Sequence, residues 1–221
     1  MPTVVAVTGF LGDAFDFDGV RAACSKDWSW RVLTPLDLGG GSISEMASEL
    51  RSISADLRIG YSMGGRVMLA AQDGTPTLAL SAGTGLHGAD ARAQRSLVDE
   101  VRAQELRQDP EAFLKSWYQQ PLFDALRSSP IWEDIASRRS GVVHQAEAWA
   151  AVLEAASPGR TPVPTLEGRL GFVVGNLDQA YRVPPESFPH RVIPRAGHAI
   201  HLESPEATAV AIQELFEELQ S

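Results

Sequence analysis

Leu57-Arg58-Ile59-Gly60-Tyr61-Ser62-Met63-Gly64-Gly65-Arg66-Val67-Met68-Leu69-Ala70-Ala71 is the stretch that decides how this chain folds. A short apolar run stops at a glycine. A serine follows inside Gly-x-Ser-x-Gly, and an apolar helical segment takes over. This reads as a buried strand, a tight turn that lifts a hydroxyl clear of the backbone, and a buried helix. Small residues on both sides of Ser62 let strand and helix approach each other. An ordinary strand-to-helix turn would give the same local pattern, so the rest of the chain has to supply the chemistry.

Outward from the turn the same alternation recurs. Thr3 to Thr8 (TVVAVT), Trp28 to Leu33 and Pro76 to Ala82 are strand candidates. The segment from Ser42 to Ser54 has helical spacing, with Ile43, Met46, Ala47 and Leu50 on one face. Strands alternating with helices predict α/β architecture with a parallel sheet. From Ala89 to Ala156 the rhythm becomes wholly helical, punctuated by Pro110, Pro121 and Pro130. Strand-like Leu170 to Val174 and Arg191 to Ile193 then return. Ser204-Pro205 opens a last helix as N-cap and first residue, with Ala207, Val210, Ala211, Leu215 and Leu219 among its apolar positions. The expected organisation is one domain over 1–221, with a helical cap inserted at 86–164 and helices on both faces of a mostly parallel sheet.

The 221 residues carry a net charge of −9, with 44% apolar and 21% charged positions, an ordinary globular composition. The acidic balance argues against nucleic acid or an anionic membrane as the main partner. Among the basic residues only Lys26 and Lys115 are lysines. The lone cysteine, Cys24, excludes an internal disulfide, and the Cys/His spacing draws no metal site. No secretory leader and no run of membrane-spanning length is read, so a cytoplasmic protein is expected.

A serine hydroxyl becomes reactive when a base takes its proton and an acid orients that base. Asp178 follows the strand at 170–174, and His198 follows the strand ending near Ile193. The order Ser62, Asp178, His198 therefore puts all three on loops at strand C-terminal ends. Asp178 also reads as a loop-capping residue, and His201 competes with His198 from a position closer to the last helix. His87, His144 and His190 have no comparable placement. For a developing negative charge, the natural donors are the backbone N–H groups of Met63 and Phe10.

With these residues in place the chain resembles the α/β-hydrolase superfamily throughout. Within it the chain is most similar to the 2-succinyl-6-hydroxy-2,4-cyclohexadiene-1-carboxylate synthases of menaquinone and phylloquinone biosynthesis. The carrying segments are Gly60-Tyr61-Ser62-Met63-Gly64-Gly65-Arg66, Trp117-Tyr118-Gln119-Gln120-Pro121-Leu122-Phe123 and Ala136-Ser137-Arg138-Arg139-Ser140, of which Arg66 after the second glycine and the Trp-Tyr-Gln-Gln-Pro run are the more specific. Ala196-Gly197-His198 is shared more widely in the superfamily. The resemblance implies a lyase that removes pyruvate from 2-succinyl-5-enolpyruvyl-6-hydroxy-3-cyclohexene-1-carboxylate, with no water consumed, no acyl-enzyme and no cofactor. Ser62 would be the base, assisted by His198 and Asp178.

It further implies an anionic substrate with three carboxylates, which planar guanidinium groups bind bidentately. Arg66, Arg95 and Arg138 would hold them, with Tyr61, Trp117 and Tyr118 lining the pocket. Arg139 is an adjacent alternative to Arg138. Cap arginines also pair with acids such as Glu100, and a Trp-Tyr pair also suits a core. The chain departs from the family at Thr8, where histidine is usual, and at Asp37-Leu38-Gly39-Gly40-Gly41-Ser42, which replaces Asp-Leu-Pro-Gly-His-Gly. A serine esterase or C–C bond hydrolase would use the same three residues, so only the pocket separates the readings.

Overall fold

The structure is a computed structural model that describes residues 1–181 and 184–220. The chain opens with β1, Thr3–Val7, every residue of which after Thr3 is fully buried. Alternation along this strand sends Val4 and Ala6 to one face and Val5 and Val7 to the other. A strand apolar on both faces needs helices on both, and the chain supplies them. Helix α1, Asp18–Ala23, leads into β2, Ser29–Leu33, which pairs with β1. Helix α2, Ile43–Arg51, is opened by a reciprocal cap between Ser42 and Glu45 and buries Ile43, Met46, Ala47 and Leu50, the expected face.

β3, Leu57–Tyr61, lies on the other side of β1 and feeds α3, Met63–Ala70; β4, Thr77–Leu80, pairs with β3. Between β4 and β5 the chain runs through α4, Ala89–Gln108, α5, Pro110–Tyr118, α6, Asp124–Arg127, α7, Trp132–Ser140, and α8, Ala146–Ala155. The prolines punctuate as predicted: Pro110 opens α5 behind an Asp109 cap, and Pro121 opens a single tight turn. Arg107 on α4 binds Glu147 at 3.0 Å and Glu154 at 2.8 Å, joining α4 to α8.

β5, Leu170–Gly175, and β6, His190–Ile193, complete a six-stranded sheet of order β2-β1-β3-β4-β5-β6, parallel at every pairing. Short α9, Ile200–Glu203, precedes α10, Pro205–Gln220. The core face of α10 differs from the simple apolar pattern. Val210 is 55% exposed and Ala207 faces solvent, while Thr208, Ala209, Ile212 and Phe216 turn inward. Thr208 can do so because its hydroxyl donates to the Ile200 carbonyl at 3.0 Å.

The strand order reverses at β1, since β2 lies to one side and β3 to the other. The crevice beyond the C-terminal ends of β1 and β3 is the switch point where α/β sheets bind ligands. The chain leaves β1 there toward Phe10, and leaves β3 at Ser62.

Candidate active site

Ser62 has φ 52° and ψ −108°, a strained conformation for a residue with a side chain. It persists because its surroundings fix it. A Cβ on Gly60 would lie 2.4 Å from the Gly64 carbonyl oxygen, and one on Gly64 would lie 2.2 Å from that of Val7. Strand, turn and helix are therefore in backbone contact, and any larger residue would force them apart. The Ser62 N–H donates to Leu80 at 2.9 Å, which ties the bend to β4.

Two further loops converge on the serine. After β5 the chain turns through Gly175 to Asp178, and after β6 through Ala196 to His198. The Leu177 N–H donates to the Ala196 carbonyl at 2.9 Å, so the two loops brace each other. His198 Nε2 stands 3.1 Å from Ser62 Oγ, and His198 Nδ1 stands 2.7 Å from Asp178 Oδ2. The other Asp178 oxygen accepts the N–H groups of Ala180 at 3.0 Å and Tyr181 at 3.1 Å. His198 and Asp178 are 1% and 2% exposed, so water hardly competes for their contact. Such a pair holds one imidazole tautomer toward the serine and steadies positive charge on the ring.

Glu203, which sequence reasoning passed over, holds the histidine loop. Its carboxylate accepts the N–H groups of Gly197 and of Ala199, on either side of His198. Burial raises its pKa while these donors oppose the shift. Nothing in the local spacing signals this role. His201 does not compete with His198: it is 1% exposed, packs on Tyr61 and Phe17, and has no hydrogen-bond partner at either nitrogen among the described residues.

Ser62 and His198 open on a cavity of about 350 Å³. Phe10 and Met63 line it, and the Met63 N–H, first in α3, has no partner inside the helix. The Phe10 ring sits in an aromatic box of Phe113, Trp117 and Trp149, at centroid distances of 6.4, 4.9 and 5.5 Å. It is thus packed between the sheet and the inserted helices. Arg66, Arg95 and Trp117 line the same cavity, as do Arg102, Gln120 and Tyr181. Arg66 donates to the Ala156 carbonyl at 2.7 Å and forms no ion pair among the described residues. Burial pulls its guanidinium down to about 10, and the like charge of Arg95 works the same way. Arg95 is paired with an acid, but with Asp99 at 2.8 Å rather than Glu100, which binds Arg160.

A smaller cavity of about 50 Å³ meets Ser62 and His198 from the other side, bordered by Tyr61, Tyr118 and Arg139. Tyr118 is both core and wall, since its hydroxyl accepts from Arg139 Nε at 3.0 Å. Arg138 borders neither of these two cavities; it lines a third, of about 540 Å³, and binds Asp13 at 3.2 Å, with Asp16 3.7 Å away. Of the adjacent pair it is Arg139 that approaches Ser62, and its donors are taken by Tyr118, Asp13 and Asp16. Arg102 and Tyr181 are among the cavity residues that sequence reasoning missed. Among the described residues no cluster of side chains could hold a metal ion, and no helix is long and apolar enough to cross a membrane.

A model of the alpha/beta hydrolase family matches residues 5–211. The 2-succinyl-6-hydroxy-2,4-cyclohexadiene-1-carboxylate synthase of Escherichia fergusonii is 31% identical, over 97% of this chain and 94% of its own length. The enzyme of that name from Shigella sonnei is likewise 31% identical over the same shares. In three dimensions the chain is similar to MenH from S. aureus, with a TM-score of 0.85 at 21% identity, covering 100% of this chain and 95% of that one. It also resembles a thermophilic esterase from Thermogutta terrifontis, with a TM-score of 0.72 at 19% identity, covering 100% and 91%. Both structural likenesses speak for the fold. The chain belongs to the alpha/beta hydrolase family, and within it to the group of the 2-succinyl-6-hydroxy-2,4-cyclohexadiene-1-carboxylate synthases.

Proposed function

We propose that this enzyme removes pyruvate from 2-succinyl-5-enolpyruvyl-6-hydroxy-3-cyclohexene-1-carboxylate, leaving 2-succinyl-6-hydroxy-2,4-cyclohexadiene-1-carboxylate. Its curated relatives carry the name of that product's synthase. The observation that carries the reading for this chain is Arg66. It is a guanidinium without a carboxylate partner among the described residues, lining the cavity into which Ser62 opens. A charge left unpaired by the protein is matched by a ligand that brings the opposite charge, and this substrate brings three carboxylates.

In the proposed reaction, His198 takes the Ser62 proton across their 3.1 Å contact, and Asp178 stabilises the resulting imidazolium. The seryl oxygen removes the proton on ring carbon 2, alpha to the succinyl ketone. Electron density passes onto the ketone oxygen, where the N–H groups of Phe10 and Met63 would hold it; one such donor is worth about 3 kcal/mol of barrier. Return of that density forms the 2,3 and 4,5 double bonds and breaks the bond from carbon 5 to the enolpyruvyl oxygen. The leaving enolate takes a proton and becomes pyruvate, so no water is consumed. Arg66 and Arg95 would clamp carboxylates, while Tyr61, Trp117 and Tyr118 would shape the walls and exclude solvent. Arg138, neutralised by Asp13 and Asp16, is not part of this proposal.

The test supplies the purified protein with the enolpyruvyl substrate and, separately, with simple aryl esters, following pyruvate by a coupled assay. Steady pyruvate release with negligible ester turnover is expected. Brisk ester cleavage without pyruvate would overturn the lyase and favour a serine esterase or C–C bond hydrolase.

A further inference from the structure

Arg95, Asp99 and Arg102 follow one another on a single face of α4, at spacings of four and three residues. Asp99 is fully buried, and one of its oxygens is committed to Arg95 at 2.8 Å and to the Ser157 hydroxyl at 2.7 Å. Its other oxygen lies 3.6 Å from Arg102 and has no hydrogen-bond partner among the described residues. The Arg102 guanidinium carbon stands 5.4 Å from the centroid of the Trp117 ring, and one nitrogen donates to the Gln120 side chain at 3.1 Å. A guanidinium lying over an aromatic face keeps its donors in its own plane, pointing away from the ring. Five donors are available and one is committed to a neutral acceptor. Arg102 is therefore held in place without being saturated, and it borders the Ser62 cavity.

We infer that Arg102 is a specificity-determining residue that takes a substrate carboxylate at the end of an apolar arm, and that Asp99 is the positioning residue that keeps Arg95 and Arg102 on one side of the cavity. The arm is suited by the apolar residues beside Arg102 in that cavity, Trp117, Pro121 and Leu122. The succinyl chain, two methylenes ending in a carboxylate, has this form. Its assignment rests on the proposed elimination, whereas carboxylate binding at Arg102 does not. Lysine would keep the charge but lose both the stacking surface and the bidentate edge.

The experiment measures binding of succinate, with neutral succinamide as control, by calorimetry on the wild type and on Arg102→Gln. Succinate should bind the wild type and succinamide should not. The substitution should raise the succinate Kd about 10- to 100-fold, the usual size of a lost charge-assisted contact. Arg102→Lys should recover only part of the affinity, and Asp99→Asn should weaken succinate without enabling succinamide. In the pyruvate assay Arg102→Gln should raise KM and leave kcat within a few-fold. Unchanged succinate affinity, or no succinate binding by the wild type, overturns the role of Arg102. If Arg102→Gln does not fold, Arg102→Lys carries the test, and wild-type affinity in that variant overturns the bidentate contact. Succinate binding that depends on Arg102 in a protein releasing no pyruvate would keep the carboxylate site and discard the elimination. Pyruvate release with unaltered KM would do the reverse.

Discussion

Two arginine clusters flank the same serine, and they are built on opposite principles. On one side Arg138 and Arg139 of α7 meet Asp13 and Asp16 of the loop after β1, two cations against two anions. Arg139 is 4% exposed, Asp16 is 1% exposed, and every guanidinium nitrogen of Arg139 has a partner. On the other side Arg66, Arg95 and Arg102 line one cavity, and among the described residues Asp99, bound to Arg95 and 3.6 Å from Arg102, is the one carboxylate paired with them, in a protein whose net charge is −9. The balanced cluster fastens the inserted helices to the loop that carries Phe10. It also borders open space, but with its charges matched; the unbalanced one faces the larger of the two cavities at Ser62 with positive charge in excess. Residue type is the same in both, so the count of opposing charges within reach decides whether an arginine holds the fold or awaits a ligand.

Breaking the balanced cluster should have the larger effect on stability. Arg139→Leu removes the hydrogen-bonded partner of buried Asp16, leaving Arg138 at 3.7 Å as its cation, and is expected to cost about 3–5 kcal/mol in urea unfolding. A loss below about 1 kcal/mol would show that the pair is not structural. Arg66→Ala sharpens the contrast from the other side. It should leave unfolding within about 1 kcal/mol of wild type while lowering kcat/KM for the tricarboxylate about 10- to 100-fold. Comparable losses in stability and in catalysis would erase the distinction between the clusters.

The smallest effect concerns pH. Burial, then the charges of Arg139, His198 and Arg138, hold the His201 imidazole well below its ordinary value of 6.5. The folded protein therefore binds fewer protons there than the unfolded chain does. This contribution to stability is complete above about pH 6.5 and is lost as pH falls toward the folded value, by at most about 1.4 kcal/mol per unit. In His201→Phe the acid-side slope of unfolding free energy should flatten by up to one proton, and an unchanged slope would refute the assignment.

Much of this was legible in the chain itself, and the limits are instructive. The alternation from Thr3 to Val174 reports burial on two faces of a parallel sheet, and it survives in β1, β3 and β5 almost residue for residue. Ser62, Asp178 and His198 were readable because each follows a strand, and the sheet aligns strand ends. The ion pairs of Arg138 were not readable, because Asp13 and Asp16 lie some 125 residues away in sequence, and spacing within one segment cannot count them. Arg102 was within reach, since Arg95, Asp99 and Arg102 share a helical face. Tyr181 was not, because its ring meets His198 only when the loops after β5 and β6 come together, and Glu203 was not, because its contacts to Gly197 and Ala199 depend on how the loop around His198 bends rather than on helical or strand spacing.

The proposed elimination begins with Ser62 acting, through His198, as the base that starts pyruvate release. The direct test is pyruvate formation by Ser62→Ala, with unfolding measured alongside. The rate is predicted to fall by at least about a thousandfold in a protein that folds normally and still binds succinate. A folded variant that releases pyruvate within tenfold of the wild-type rate would contradict the claim.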